Sequence, residues 1–432
     1  MLTEASVAMP KPAVPMPDRS VTCPFCGLLC DDLAVEIRDS RAEVVEAGCA
    51  RAQRLFPVAP SAPARVDGRG VDWHDAASAA AGLLRQSRRP LIGGLGCDIA
   101  GLRAAVALAE RADAWLDHMD SAAQLRNLRP YQDSGWIATT LSEVRNRADV
   151  IVLAGTTAEG LPRFFERCLP AASASQFGDL HRRVMVVGSP LLRPAARGAG
   201  AEIAIDCPNP RLAEVFGLLR ARLAGRRIDA ATPFGVATAR IDALLAAMRA
   251  ARYGVLAWDA AELDFPQADL AVRAMIDLVA DLNRDTRWSV LPLGGGNGGS
   301  SAQQVATWLA GYPLRCRFAQ GTVADDPLQR GAPQLLRDGA ADLLLWISAF
   351  DPARQPPPAP CPTVVLGRAD AEFDAEPAVF IPVAVPGVQR RGLLTRVDQI
   401  VTLPLAAPAA SALPGVAEVL QRLTGELGHA AA

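Results

Sequence analysis

The chain has 432 residues, 50% of them hydrophobic and 21% charged, with a net charge of -2. That length supports two or three domains with sizeable cores, and the near-neutral balance, without a long basic run, excludes a basic nucleic-acid-binding surface. Apolar stretches are broken by Arg, Asp or Pro before the roughly twenty residues a membrane helix needs, so the chain is expected to be cytosolic.

Residues 1–20 are rich in Pro and Ala, lack the apolar core of a secretory signal, and read as a flexible tail. Residues 21–58 form a cysteine-bearing module: VTCPFCGLLCDD is followed by LAVEIRDSRAEVVEAG, two short strands around an Asp-Ser-Arg turn. A Pro/Ala-rich link then gives way to apolar runs, most of them leading into a helical pattern. PLIGGLG (90–96) precedes a helix near 99–114, and DVIVLAG (149–155) a short one near 161–168. RVMVVGSP (183–190) leads to helices near 210–225 and 235–252. YGVLAWD (253–259) leads to one near 267–282, and WSVLPLG (288–294) to one near 300–311. The runs ADLLLWISAFDP (341–352), TVVLG (363–367) and VFIPVAV (379–385) close the series. Continuous apolar strands alternating with helices predict parallel sheets covered on both faces. The expected fold is therefore α/β: a cysteine-rich module, two interleaved parallel-sheet, Rossmann-like lobes over 59–405, and a C-terminal helix and tail over 406–432.

Nine cysteines in a reducing compartment suggest metal rather than disulfides. Cys23, Cys26 and Cys30 make a C-x2-C-x3-C run, and Cys49 follows 19 positions after Cys30. Four thiolates in one tight loop and a hairpin suit a cubane [4Fe–4S] cluster, each iron taking one sulfur. A structural zinc site is the main competitor, although zinc favours paired C-x2-C knuckles and only one is present. An empty, vestigial site is the third reading. Cys97, Cys168, Cys207, Cys316 and Cys361 stand singly in apolar surroundings and read as buried thiols. Histidines are few and far apart (His74, His118, His181, His429), which disfavours a His-based hydrolase.

CPFCGLLCDD resembles the N-terminal motif of the formylmethanofuran dehydrogenase B-subunit family, within the molybdopterin oxidoreductase superfamily. The resemblance continues through QDSGWIATTLSEVRNRADVIVLAG (132–155), GNGGSSAQQVATWLAGYPLRCRF (296–318), DLLLWISAFDP, IPVAVPG and TRVDQIVTLPL. It spans residues 21 to about 405. It implies a lobed fold of the molybdopterin oxidoreductase type, a tungsten- or molybdenum-pterin centre with one cubane cluster, and partner subunits. The family's metal-binding cysteine or selenocysteine, followed by His-Gly-Pro, falls just upstream of Gln132 in this sequence. Here that stretch reads MDSAAQLRNLRPYQDSG, with Ala122 near the ligand position and no cysteine between Cys97 and Cys168. A methyl group cannot replace a thiolate on a soft metal, so the tungsten- or molybdenum-pterin is expected to be absent. His118 is the nearby ligand alternative. Thr156 and Thr157 stand where the family has Asn-Pro, and LPRFFERC where it has a His-rich run.

These losses fit a related assembly, the formyltransferase/hydrolase complex of methylotrophs, which releases formate from formyl-tetrahydromethanopterin through a furan-type carrier without moving electrons. The expected role is a non-redox B subunit, itself not catalytic, that holds partner subunits in register with the furan-type formyl carrier nearby. The alternatives are an active tungsten/molybdenum dehydrogenase subunit and an iron–sulfur electron-transfer subunit. The loop GGGNGGSS, with Gly294, Gly295, Gly296 and Asn297 leading it, reads as a vestigial pterin loop or a plain strand-to-helix turn. GGLG (93–96) is a fainter version. Asp32 is expected to cap the turn after the cysteines, and Arg145, Arg147 and Asp149 to pair between helix and strand.

Overall fold

The computed structural model describes residues 20–169, 174–175, 178–179, 182–188, 203–228, 231–325 and 331–428. The expected tail lies outside them apart from Ser20, as do His181, His429 and the last residues of the C-terminal segment. Two mixed α/β lobes contain the parallel strands. Five strands, Val150–Ala154, Arg183–Gly188, Ile203–Asp206, Gly254–Asp259 and Trp288–Leu293, form one all-parallel sheet. Taken by position in the chain, their spatial order is 3-2-1-4-5. Strand residues alternate between two cores. Ile151, Leu153, Val255 and Ala257 face one, while Val150, Val152, Leu256 and Trp258 face the other, the period of two that a pleated strand imposes. The second core is closed by helices Leu212–Leu223, Thr238–Arg249 and Ala268–Leu282. The first is closed by the cysteine module itself, through Phe25, Leu28, Leu29, Leu33 and Phe56.

This lobe is inserted into the other. The second sheet has nine strands, with a parallel centre of Pro90–Gly96, Trp115–Leu116, Leu343–Ser348, Thr363–Gly367 and Val379–Pro382 in the order 2-1-3-4-5. Short antiparallel strands that the apolar pattern did not reveal occupy its edges, Cys316–Ala319 and Thr322–Asp325 at one side and Ala64–Val66 and Arg69–Val71 at the other. They are too short and mixed in character to stand out by periodicity. Helices Trp73–Gln86, Ile99–Arg111 and Val416–Gly428 pack together on one face. No helix among the described residues is long and apolar enough to cross a membrane.

Two local expectations change. GGLG is not a loop: Gly93 to Gly96 lie buried inside the strand Pro90–Gly96. Gly94, at φ +77, approaches so closely that a Cβ would lie 2.5 Å from the Ile347 carbonyl oxygen, at the register shift between these strands. Asp149 pairs with neither arginine. Its carboxylate accepts from the backbone N–H groups of Arg252 and Tyr253 at 2.9 and 3.0 Å, while Arg147 pairs with Glu143 one turn back at 2.9 Å and Arg145 donates to the Arg167 carbonyl. The stretch around Ala122 is a helix, Ser121–Ser134, with Pro130 inside it.

Candidate functional site

Cys23, Cys26 and Cys30 are buried and Cys49 is half-buried. The Cys23 N–H donates to the Cys30 carbonyl at 2.8 Å, closing the loop, and Leu29 adopts φ +46 to turn the chain back. Burial pushes the Cys23 thiol up, with Cys26, Cys30 and Cys49 adding to the effect and the Phe25 N–H opposing it. Cys30 is pushed up to about 12 by burial and Cys26, against the pull of Arg167 and Arg163. Burial also raises Cys26, against the Leu28 and Leu29 N–H groups and Arg51. Among the described residues no group of three or more His, Cys, Asp or Glu is placed to hold one metal ion. A cubane makes a different demand, since each thiolate binds its own iron. Four thiols within electrostatic reach of one another, backbone N–H groups at the sulfurs and arginines behind them fit an anionic cluster.

Asp32 is not a simple turn cap. Its carboxylate takes a two-pronged bond from Arg163 at 2.7 and 2.8 Å, and Arg167 reaches Asp32 at 2.6 Å and Asp31 at 2.5 Å. Burial would raise the Asp32 carboxyl, but the Arg163 bonds and the Arg167 charge outweigh it and hold it below its ordinary value. Arg163, itself buried, also bonds Glu166. LPRFFERC thus anchors the cysteine turn to the five-stranded lobe.

The glycine loop lies against this turn. A Cβ on Gly27 would sit 2.0 Å from the Gly294 carbonyl oxygen, and the Val397 N–H donates to the Gly27 carbonyl at 2.8 Å. Gly294, Gly295, Asn297 and Gly298 all have positive φ, which lets the backbone coil tightly before helix Gly299–Ala310. A Cβ on Gly296, between them, would meet none of the described residues beyond its chain neighbours within 4 Å. The far end of the loop meets Cys97 and His118. Cysteines, glycine loop and His118 therefore form one row, where strands of both sheets end.

His118 is fully engaged. Its Nδ1 accepts from the Asp120 N–H at 3.0 Å and its Nε2 donates to the Asn297 carbonyl at 3.1 Å. The Asp120 N–H bond to Nδ1 selects the Nε2–H tautomer, and burial disfavours protonation, with Asp120 opposing. Neither nitrogen is left to ligate a metal. Ala122 lies beside it on the wall of a pocket of about 370 Å³. No cysteine is among the described residues that line this pocket, and the Met119 thioether there accepts from Arg354 Nε at 3.2 Å.

Three acids have nothing in their spacing along the chain to distinguish them, and only the fold brings them forward. Asp117, at the end of Trp115–Leu116, is fully buried and pushed up to about 6 by burial, against Arg315, the Ala332 N–H and Ser121. Asp259 and Glu262 lie at the carboxyl end of Gly254–Asp259, where burial raises both. Thr156, also buried, donates to Glu262 at 2.7 Å. The Arg163–Asp32 match was traceable in principle, since two arginines one helical turn apart in RFFER complement Asp31–Asp32.

No protein-family model matches the chain. The chain is 28% identical over 402 residues to the B subunit of tungsten-containing formylmethanofuran dehydrogenase 2 from Methanocaldococcus jannaschii, covering 88% of this chain and 92% of that protein. It is 29% identical over 331 residues to the B subunit of the formyltransferase/hydrolase complex Fhc from Methylorubrum extorquens, covering 76% and 87%. The chain is a homologue of these B subunits. Its structure superposes on a chain of the crystal structure of FhcABCD from Methylorubrum extorquens in complex with methylofuran, with a TM-score of 0.72 at 27% identity, covering 85% of this chain and 99% of that one.

Proposed function

We propose that the chain is the non-redox B subunit of a formyltransferase/hydrolase complex, holding partner subunits in register around a furan-type formyl carrier. The observation that carries this reading is the pairing of Ala122 with a fully engaged His118. The place where the dehydrogenase family tethers its metal offers here a methyl group and an imidazole with both nitrogens occupied. The reaction assigned to the complex needs no such centre. Transfer exchanges one C–N bond for another, and hydrolysis exchanges C–N for C–O with a proton passing to the amine. The carbon stays at the oxidation level of formate throughout. The likeness to a subunit of FhcABCD supports the choice of assembly.

Cys23, Cys26, Cys30 and Cys49 would hold a [4Fe–4S] cluster, which when bound ties the N-terminal turn to the hairpin. The amide groups at the sulfurs and the flanking Arg163 and Arg167 support this. The test is elemental analysis of the natively purified complex for iron, zinc, tungsten and molybdenum. Tungsten and molybdenum below one-tenth of the chain concentration are expected, with about four irons per chain. Stoichiometric tungsten or molybdenum overturns the scaffold reading, and iron-free intact complex overturns the cluster.

A further inference from the structure

The pocket beside Ala122 is more than a gap. In an open parallel sheet ligands bind outside the carboxyl ends of the strands, where the order reverses. In the nine-stranded sheet that reversal falls between Pro90–Gly96 and Leu343–Ser348. The pocket opens there. Asp117 and Ser121 come from beyond Trp115–Leu116, Trp346 from within Leu343–Ser348 and Arg354 from beyond it, while Arg315, Ala122, Met119 and Gln355 are among the other residues of the wall.

Asp117 sets its chemistry. One carboxylate oxygen accepts the Ala332 N–H at 2.7 Å. The other, Oδ1, is buried and meets no donor in hydrogen-bonding geometry among the described residues, although the Ser121 hydroxyl and the His118 N–H also favour the charged carboxylate; the nearest cation, Arg315 Nε, lies 3.8 Å away and donates instead to Ser121 Oγ at 3.0 Å. A buried acceptor in that state is costly, and a donor from a ligand or water would satisfy it. Charge narrows the choice. Arg315 is balanced by Asp117 and Arg354 by its ion pair with Asp120, so the pocket holds no surplus positive charge for an anion. Nor, among the described residues, are the acids grouped to hold a cation. Its apolar wall includes the Trp346 indole, which suits a flat molecule.

We propose that this pocket binds a small, flat, neutral ligand with an amide edge, Asp117 Oδ1 accepting the ligand's N–H and the guanidinium side of the pocket facing its carbonyl. Such binding does not depend on the scaffold role proposed for the chain, because the residues that line the pocket come from this chain.

The experiment uses the full chain and two probes of similar reach, 2-pyridone as a lactam edge and formate as an anion, followed by ligand-observed NMR and calorimetric titration. The wild-type chain is expected to bind 2-pyridone in preference to formate. In Asp117→Asn, the side-chain oxygen keeps the Ala332 N–H and the amide nitrogen turns a donor into the pocket. Affinity for 2-pyridone should then fall about tenfold or more, the size expected for losing a bond to a charged group, while formate binding rises. Ala122→Leu, which leaves Asp117 untouched, should block 2-pyridone by filling the pocket, and it serves where Asp117→Asn does not fold. Failure of the wild-type chain to bind 2-pyridone at millimolar concentration, tighter binding of formate than of 2-pyridone, or 2-pyridone binding that survives either folded variant overturns the proposal.

Discussion

Replacing Gly27 with Ala tests whether the cysteine turn and the glycine loop are one packed unit. The added methyl carbon would lie 2.0 Å from the Gly294 carbonyl oxygen, 2.9 Å from Val397 Cβ and 3.1 Å from the Gly294 carbonyl carbon. Two of these are backbone atoms, so no side-chain rotation relieves them. Overpacking of this kind costs about 3 kcal/mol, the upper end of the usual range, because the segments must separate. Separation also weakens the Val397 N–H bond to Gly27, a further ~1 kcal/mol. If the turn opens as a local unit, its open population rises by roughly two to three orders of magnitude. The assay is hydrogen exchange of peptides covering 21–32 and 290–300, together with the reaction rate of the buried Cys23, Cys26 and Cys30 thiols in cluster-free protein. Both should speed up while exchange in helix Ala268–Leu282 stays unchanged. Unaltered exchange and thiol rates would refute the packing argument.

Gly217, in helix Leu212–Leu223 with nothing near it, is the counterpart: Gly217→Ala should stabilise by about 1 kcal/mol in thermal unfolding. Arg163→Gln should destabilise the cysteine turn by about 1–2 kcal/mol, less than for a fully buried pair because Asp32 and Glu166 reach solvent. Both carboxyls are held below their ordinary values of 3.8 and 4.5: burial opposes the shift at Asp32, Arg163 bonding drives it at Glu166. Depressed acids stabilise above their unfolded values and lose that as pH falls through the folded ones. The Arg163→Gln deficit should thus be full at pH 6 and fade below about pH 4 in denaturation curves; a deficit constant down to pH 3 would contradict the network. Cys26→Ser should loosen the N-terminal module in complex that carries a cluster, read as lost iron and faster proteolysis before residue 58. Ala122→Cys alone should give no formate-linked dye reduction, because His118 and the Thr156–Glu262 pair remain as they are; any such activity would refute the non-redox assignment.

Much of the strand set was legible because parallel strands buried on both faces leave continuous apolar runs such as VIVLA and GVLAWD, and the C-x2-C-x3-C spacing by itself marked the cysteine turn. The absent thiol at Ala122 was legible too, since a missing atom type needs no coordinates. What the sequence by itself determined was local: many of the buried strands and the helices that follow them, and which side chains exist near the family's metal position. Only the tertiary structure decided which distant groups meet. Asp32 finds Arg163, 131 positions away, Gly27 finds Gly294, and His118 spends both nitrogens on the backbone. Asp117 is set apart from the chain's other aspartates only by folding, which buries it beside Arg315 with one oxygen unmatched. Periodicity reports a residue's face on its own element; the partner across a sheet or between lobes depends on how the chain returns, and only the assembled fold specifies that.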